Sequence, residues 1–435
     1  AAVIATGGVL AAVTLAARQR PGSVTPSDPQ LPIASLSPGS LVQSTAPTAS
    51  SGAVIAGTVL WTASSGAGPL ATQPQNLPGG QRVLVSPGGV IVALQSQNRE
   101  VVALNATGRK LWSKSQVSSD AAMWLWGSGI LVSDGAWLAL YDLAGEQKFR
   151  VQPASLASKA IGRSHGVLRV TGLALNSTTA YVGLGSAMLA INRAGKPGHT
   201  WQVGDRLAEK PETPTAASAR WVVTQTVGLL SSVNVYPVKN ELAALQQTYP
   251  PLQFNIDGTT DAAAAAPGTT TDPAVRFAEA RIVDGYVVAR IERDVRAFAI
   301  ADGSALIHEV EPGPVHAIAP INSSILVAST SISKYDILSG NRQWQAAIPA
   351  MRLAVVSHPG QATVVVAATV GGVTGLDAHG RVLWYAHLPV SLATATPSGI
   401  TIGPHAAYVT FDPPAGSDAG LPDVAAIALD DQAHR

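Results

Sequence analysis

One phrase, repeated along the chain, limits what this sequence can fold into. Its clearest copy is Ala103-Leu104-Asn105-Ala106-Thr107-Gly108-Arg109-Lys110-Leu111-Trp112: an apolar run ends in Asn, Gly follows, and the next run carries a large aromatic. Tyr141-Asp142-Leu143-Ala144-Gly145 leads in the same way to Phe149, and Ala190-Ile191-Asn192-Arg193-Ala194-Gly195 leads, after a longer turn, to Trp201. Tyr335-Asp336-Ile337-Leu338-Ser339-Gly340 leads to Trp344, and Leu376-Asp377-Ala378-His379-Gly380 leads to Trp384. Ala299-Ile300-Ala301-Asp302-Gly303 is a degenerate copy without the aromatic. Asp or Asn side chains bond the backbone two residues on and start a turn. Gly supplies the positive φ that a hairpin needs, and the aromatic fills space between neighbouring sheets. A unit this small cannot bury both its faces alone, so successive copies must pack on one another.

From about residue 53 the chain reads as short alternating Val-rich runs bounded by Gly, Asp, Asn or Ser, which predicts strands throughout. Helix signals are scarce; the best is 241–247. The last copy, Ala428-Leu429-Asp430, stops before its second half, and that half stands at the other end of the body as Gly57-Thr58-Val59-Leu60-Trp61. Strands from both ends then complete one sheet, which closes a ring and leaves few open edges. The fold expected is an all-β propeller. The spacing between the copies at Asn192 and Ala301 is roughly twice the others and holds strands near 221–227 and 230–236, enough for an additional blade. Eight blades average roughly 47 residues each, inside the propeller range. Seven blades with a large insertion is the alternative. The tract 239–275, with its DAAAAAPGTTTDP run, is expected to be an irregular excursion on one face, either a plain insertion or a docking loop.

The spacing A-x-D-x-x-T-G-x-x-x-W resembles the repeat of the pyrroloquinoline-quinone-like (PQQ-like) propellers. Lys334 to Trp344 keep it with Lys for Ala and Ser for Thr, and the copies at Trp112 and Trp384 are one residue shorter. The resemblance covers about 55–431. It implies that Trp61, Trp112, Phe149, Trp201, Trp344 and Trp384 are structural docking aromatics. It leaves function open, because the family contains quinoprotein dehydrogenases and non-catalytic scaffolds. The enzymes hold a quinone and Ca²⁺ in the central funnel, with an Asp base and Glu and Asn ligands.

The chain has no cysteine, so no disulfide, thiolate metal site, thiol nucleophile or covalently attached c-type haem is available. The repeat Asp residues are already accounted for as turn formers, and no Asp/Glu/Asn group reads as a Ca²⁺ site. The nine His are scattered, with no HxH or HExxH spacing. No catalytic, cofactor-binding or metal residue is assigned. Trp124 and Trp126, two apart, point to one face of a strand. Packing between blades accounts for them; the functional reading makes them a platform for a partner.

Charged residues are only 13% of the chain, and 28 basic against 27 acidic leave a net charge of +1, which excludes a nucleic-acid footprint. Arginine outnumbers lysine and Ala is abundant, a composition that resembles a GC-rich, actinobacterial genome. Residues 1–17 are uncharged and apolar or small, about 26 Å as a helix, and are expected to form a transmembrane anchor. A Pro/Ser/Thr-rich stalk follows at 18–52. The domains expected are therefore an anchor (1–17), a stalk (18–52) and a propeller (53–431).

These features predict a single-pass cell-membrane protein with its propeller on the extracytoplasmic side. It would act without a cofactor as a protein-interaction scaffold in cell-envelope biogenesis or a membrane complex, with envelope proteins and the bilayer as partners. A PQQ-dependent dehydrogenase of alcohols or sugars and a carbohydrate-binding sensor are the alternatives.

Overall fold

A computed structural model describes residues 55–67, 80–95, 99–115, 121–161, 169–185, 187–202, 212–226, 232–238, 252–255, 279–291, 293–300, 305–357, 362–412 and 422–429. The described strands form eight antiparallel sheets. We number them as blades in chain order: 1 (83–115), 2 (122–151), 3 (172–202), 4 (212–255), 5 (279–310), 6 (317–346), 7 (352–387) and 8 (396–428). Blade 8 takes its outer strand, Val59–Ala63, from the other end of the body, paired antiparallel with Val424–Ala428. The eight-bladed reading therefore holds, and so does closure by both ends. The strand Ile55–Ala56 adds a short parallel fifth strand beside Val382–His387 of blade 7.

The core lies between blades. Eight separate apolar clusters occur, one at each junction from blade 1 with 2 around to blade 8 with 1. Each inner strand is therefore covered on both faces. That is why Gly129–Ser133 and Val424–Ala428 are buried at every position. The outer strand Gln147–Val151 buries only Phe149, because one of its faces meets water.

The repeat turns form as the residues dictate. Asn105 Oδ1 accepts hydrogen bonds from the backbone N–H of Thr107 and Arg109, and Asp377 Oδ1 from those of His379 and Arg381. Gly145, at φ 85°, and Gly380, at φ 80°, sit in the left-handed region. His379 is exposed at its turn.

One expectation needs correction. The tract 239–275 is not wholly an excursion: Leu252–Asn255 is the fourth strand of blade 4, paired with Ser232–Pro237. The helix signal at 241–247 lies outside the described residues; among those, an α-helix forms at Pro153–Ile161 between blades 2 and 3. There Pro opens the helix and Ala157 is buried in the junction. Among the described residues no helix is long and apolar enough to cross a membrane. The segments 1–17 and 18–52, on which the anchor and stalk expectations rest, lie outside them.

Candidate functional site

The docking aromatics fix the frame. The Trp112 ring of blade 1 lies on the repeat turn of blade 2, where a Cβ added at Gly145 would come within 2.7 Å of it. Its Nε1 donates to the Leu143 carbonyl at 2.8 Å. Phe149 sits likewise against Gly195 of blade 3, and Trp344 against Gly380 of blade 7, with Nε1 donating to the Ala378 carbonyl at 2.9 Å. Trp384 packs over Gly57, which precedes the strand that closes blade 8. Gly57 thus takes the place of the repeat glycine in the split copy.

Trp61 stacks at a tilt on Tyr408 at 5.9 Å, and Trp201 packs beside Tyr181 and His199. In blade 5, which lacks the aromatic, the buried Ile307 lies beside the Gly340 turn of blade 6. Trp61 also packs against the core shared by blades 8 and 1, and Trp201 against that shared by blades 3 and 4.

Trp124 and Trp126 belong to the same frame. Both are buried at the junction of blades 2 and 3, Trp126 with 1% of its surface exposed. Trp126 Nε1 donates to the Asn176 carbonyl, and its own carbonyl accepts from Arg193 Nη2 at 2.6 Å. They offer no platform to a partner. The indole N–H of Trp124 is buried without a hydrogen-bond partner.

The chemistry gathers elsewhere, where the first strands of the blades begin. Those strands lie against one another around the ring, so their starting ends surround one mouth of the axis. Blade 5 places Glu279 and Arg290 there, with Arg290 Nε donating to Glu279 Oε2 at 2.8 Å. Arg290 Nη1 reaches across to the Val315 carbonyl, just before blade 6. His316 begins blade 6. Arg352 begins blade 7 and donates from Nε to the Ser398 carbonyl of blade 8 at 2.8 Å and from Nη1 to the Met351 carbonyl. Asp412 ends the second strand of blade 8, and Arg82 precedes the first strand of blade 1. An arc of charge therefore crosses five neighbouring blades, and the two arginines link blade 5 to blade 6 and blade 7 to blade 8.

These groups sense one another. Burial lowers the pKa of Arg352, with Glu279 and Asp412 opposing it. Burial raises Asp412 above the usual carboxylate range, against the pull of Arg352, a Ser398 hydrogen bond and Arg82. Burial, then the charges of Arg290 and Arg352, depress His316, which favours its neutral form. Among the described residues no group of three or more His, Asp or Glu is arranged to hold a metal ion. The arc can bind and orient polar groups; no nucleophile paired with a base is placed in it. None of its members carries a motif, and only the three-dimensional ring brings residues 82, 279, 290, 316, 352 and 412 together.

Residues 280–399, blades 5 to 7 and the start of blade 8, match the family model described as outer membrane protein assembly factor BamB, a family of PQQ-like repeats. No curated protein matches the chain. Among solved structures, BamB from Moraxella catarrhalis superposes with a TM-score of 0.50 at 13% identity, covering 86% of this chain and all of that one. The computationally designed Ika8 protein superposes with a TM-score of 0.51 at 14% identity, covering 80% of this chain and 98% of that one. At these identities the likeness is one of fold.

Proposed function

We propose, for a chain that is a PQQ-like repeat propeller of eight blades, that it acts as a non-catalytic scaffold holding protein partners in the cell envelope. The observation that carries this reading is the frame itself. Eight interblade cores and a set of interlocking aromatics make a closed ring, with an arc of charge at one mouth. Such a body presents fixed surfaces and needs no moving part to do so. The family match over 280–399 supports the envelope assignment, since the family model takes its description from an outer membrane assembly factor. The uncharged segment 1–17 and the stalk 18–52 support a tether with the propeller on the extracytoplasmic side.

Two experiments test the reading. Cross-linking of the full chain in native membranes, followed by identification of adducts, should give a reproducible protein partner; adducts that scale only with abundance contradict a scaffold. Alkaline carbonate extraction should leave the intact chain in the membrane pellet and release a chain that starts near Gly52; an intact chain that washes off ends the anchor proposal. The rival quinoprotein reading requires stoichiometric uptake of pyrroloquinoline quinone with Ca²⁺ and substrate-dependent dye reduction.

A further inference from the structure

The Arg82 side chain is the anomaly of the mouth. Its Nε and Nη2 are both buried and neither has a hydrogen-bond partner. These two N–H groups lie on one edge of the guanidinium and point in parallel, the pair that grips both oxygens of a carboxylate. Leaving such donors buried and unmet is costly. The nearest opposing charge that acts on Arg82 is Asp412, yet neither Arg82 nor Arg352 takes part in an ion pair among the described residues. Asp412 acts on both guanidiniums at a distance, and one carboxylate cannot complete two forks.

At the same end of the ring, blade 7 bears apolar surface. Val370, between the second and third strands, is 53% exposed. Val390, in the connection to blade 8, is 93% exposed. The two connections are joined by a hydrogen bond from Leu388 N–H to the Gly371 carbonyl.

We propose that the mouth formed by blades 7, 8 and 1 is a docking site for an acidic, extended segment of a partner protein. Arg82 takes one of its carboxylates as a two-point fork, Arg352 adds positive charge, and Val370 and Val390 support its apolar side chains. Asp412 is the internal competitor, the opposing charge that acts on both arginines when the site is empty. The two Arg82 donors are buried when the site is empty, so binding includes a movement of that side chain toward the mouth. The proposal rests on the scaffold reading and deepens it by naming the surface and the chemistry of the partner.

The test uses the full chain and a fluorescein-labelled hexaglutamate peptide with apolar flanking residues, followed by fluorescence anisotropy at low salt. Arg82→Gln should weaken binding about tenfold, the loss of a charge-assisted fork. Val390→Asp, at a fully solvated position, should weaken it through repulsion and loss of apolar contact without changing the melting temperature. Asp412→Asn should tighten it. An exposed change at the opposite end, Arg109→Gln, should leave it unaltered, and the matching hexalysine peptide should not compete. Equal competition by free acetate or citrate at matched carboxylate concentration would mean a small-anion site and overturn the peptide assignment. Parental binding by Val390→Asp and by a folded Arg82→Gln would overturn the site itself. Partner adducts that persist in those variants would sink this site and leave the scaffold reading standing, whereas the absence of adducts from every face would sink the scaffold reading.

Discussion

Ser65 and Asp423, 358 positions apart, meet at the junction where the two ends of the propeller close. The Ser65 backbone N–H donates to Asp423 Oδ1 at 2.7 Å, and the Ser65 hydroxyl donates to Oδ2. The Asp423 N–H donates to the Ala63 carbonyl, and its carbonyl accepts from the Phe411 N–H. One residue thus ties the outer strand of blade 8 to the inner ones. Burial raises the pKa of Asp423, and the Ser65 hydrogen bonds pull it back.

Ser65→Ala should cost about 1–3 kcal/mol, because a buried carboxylate loses its hydroxyl donor. Deletion of Val424–Ala428 removes the partner strand of Trp61 altogether and should abolish cooperative melting. Calorimetry of both variants checks this. A deletion variant that melts like the parent would mean that another strand closes the ring.

Glycine substitutions separate turn geometry from aromatic docking. Gly108 and Gly145 share a positive φ, at 76° and 85°. Nothing lies near a Cβ added at Gly108, whereas one at Gly145 meets the Trp112 ring at 2.7 Å. Gly108→Ala should therefore cost only the backbone penalty, about 1–2 kcal/mol, and Gly145→Ala clearly more. Equal costs in denaturant titrations would show that Trp112 does not depend on the bare turn.

The aromatics should differ among themselves. Trp384, 2% exposed, should cost about 3–5 kcal/mol when replaced by Ala. Trp112 and Trp344 are only half-buried and should cost less, in part through the lost bonds to Leu143 and Ala378. A reversed order would place the docking energy elsewhere.

Alkaline stability should follow Tyr335. Its hydroxyl donates to the buried Glu311 Oε1 at 2.9 Å. Burial, with the Glu311 charge, pushes its pKa up from 10.0 to about 12. The folded state then keeps a proton that the unfolded state loses. This contribution is fully present below pH 10.0 and is lost as pH rises to about 12. Tyr335→Phe should flatten the stability profile across that window, measured by urea unfolding. An unchanged slope would mean that other groups titrate there.

Local chemistry made most of the frame legible. Asn105, Asp377 and their glycines specify turns by themselves, and the half-repeat at Gly57 to Trp61 announced the closure. The fourth strand of blade 4, Leu252–Asn255, was hidden because its residues sit in a tract whose composition reads as loop. The helix Pro153–Ile161 was hidden because nine residues are too few to hold a helix without the junction it covers. Trp124 and Trp126 show the limit of period-2 reasoning, which gives the shared face of two side chains and not what covers it. The arc of Arg82, Arg352 and Asp412 had no signal at all, since three isolated charges become a site only when blades 7, 8 and 1 adjoin.

The central claim, a scaffold that holds a partner at the charged mouth, is tested most directly by site-specific photo-crosslinking in native membranes. A cross-linkable residue at Val390 reports on the mouth, and one at the exposed Leu338 reports on the opposite end. The account predicts a discrete protein adduct from Val390, absent from Leu338 and lost when Arg82→Gln is added. No adduct at Val390, in a chain that takes up pyrroloquinoline quinone stoichiometrically and reduces dye with a sugar or alcohol, would contradict it.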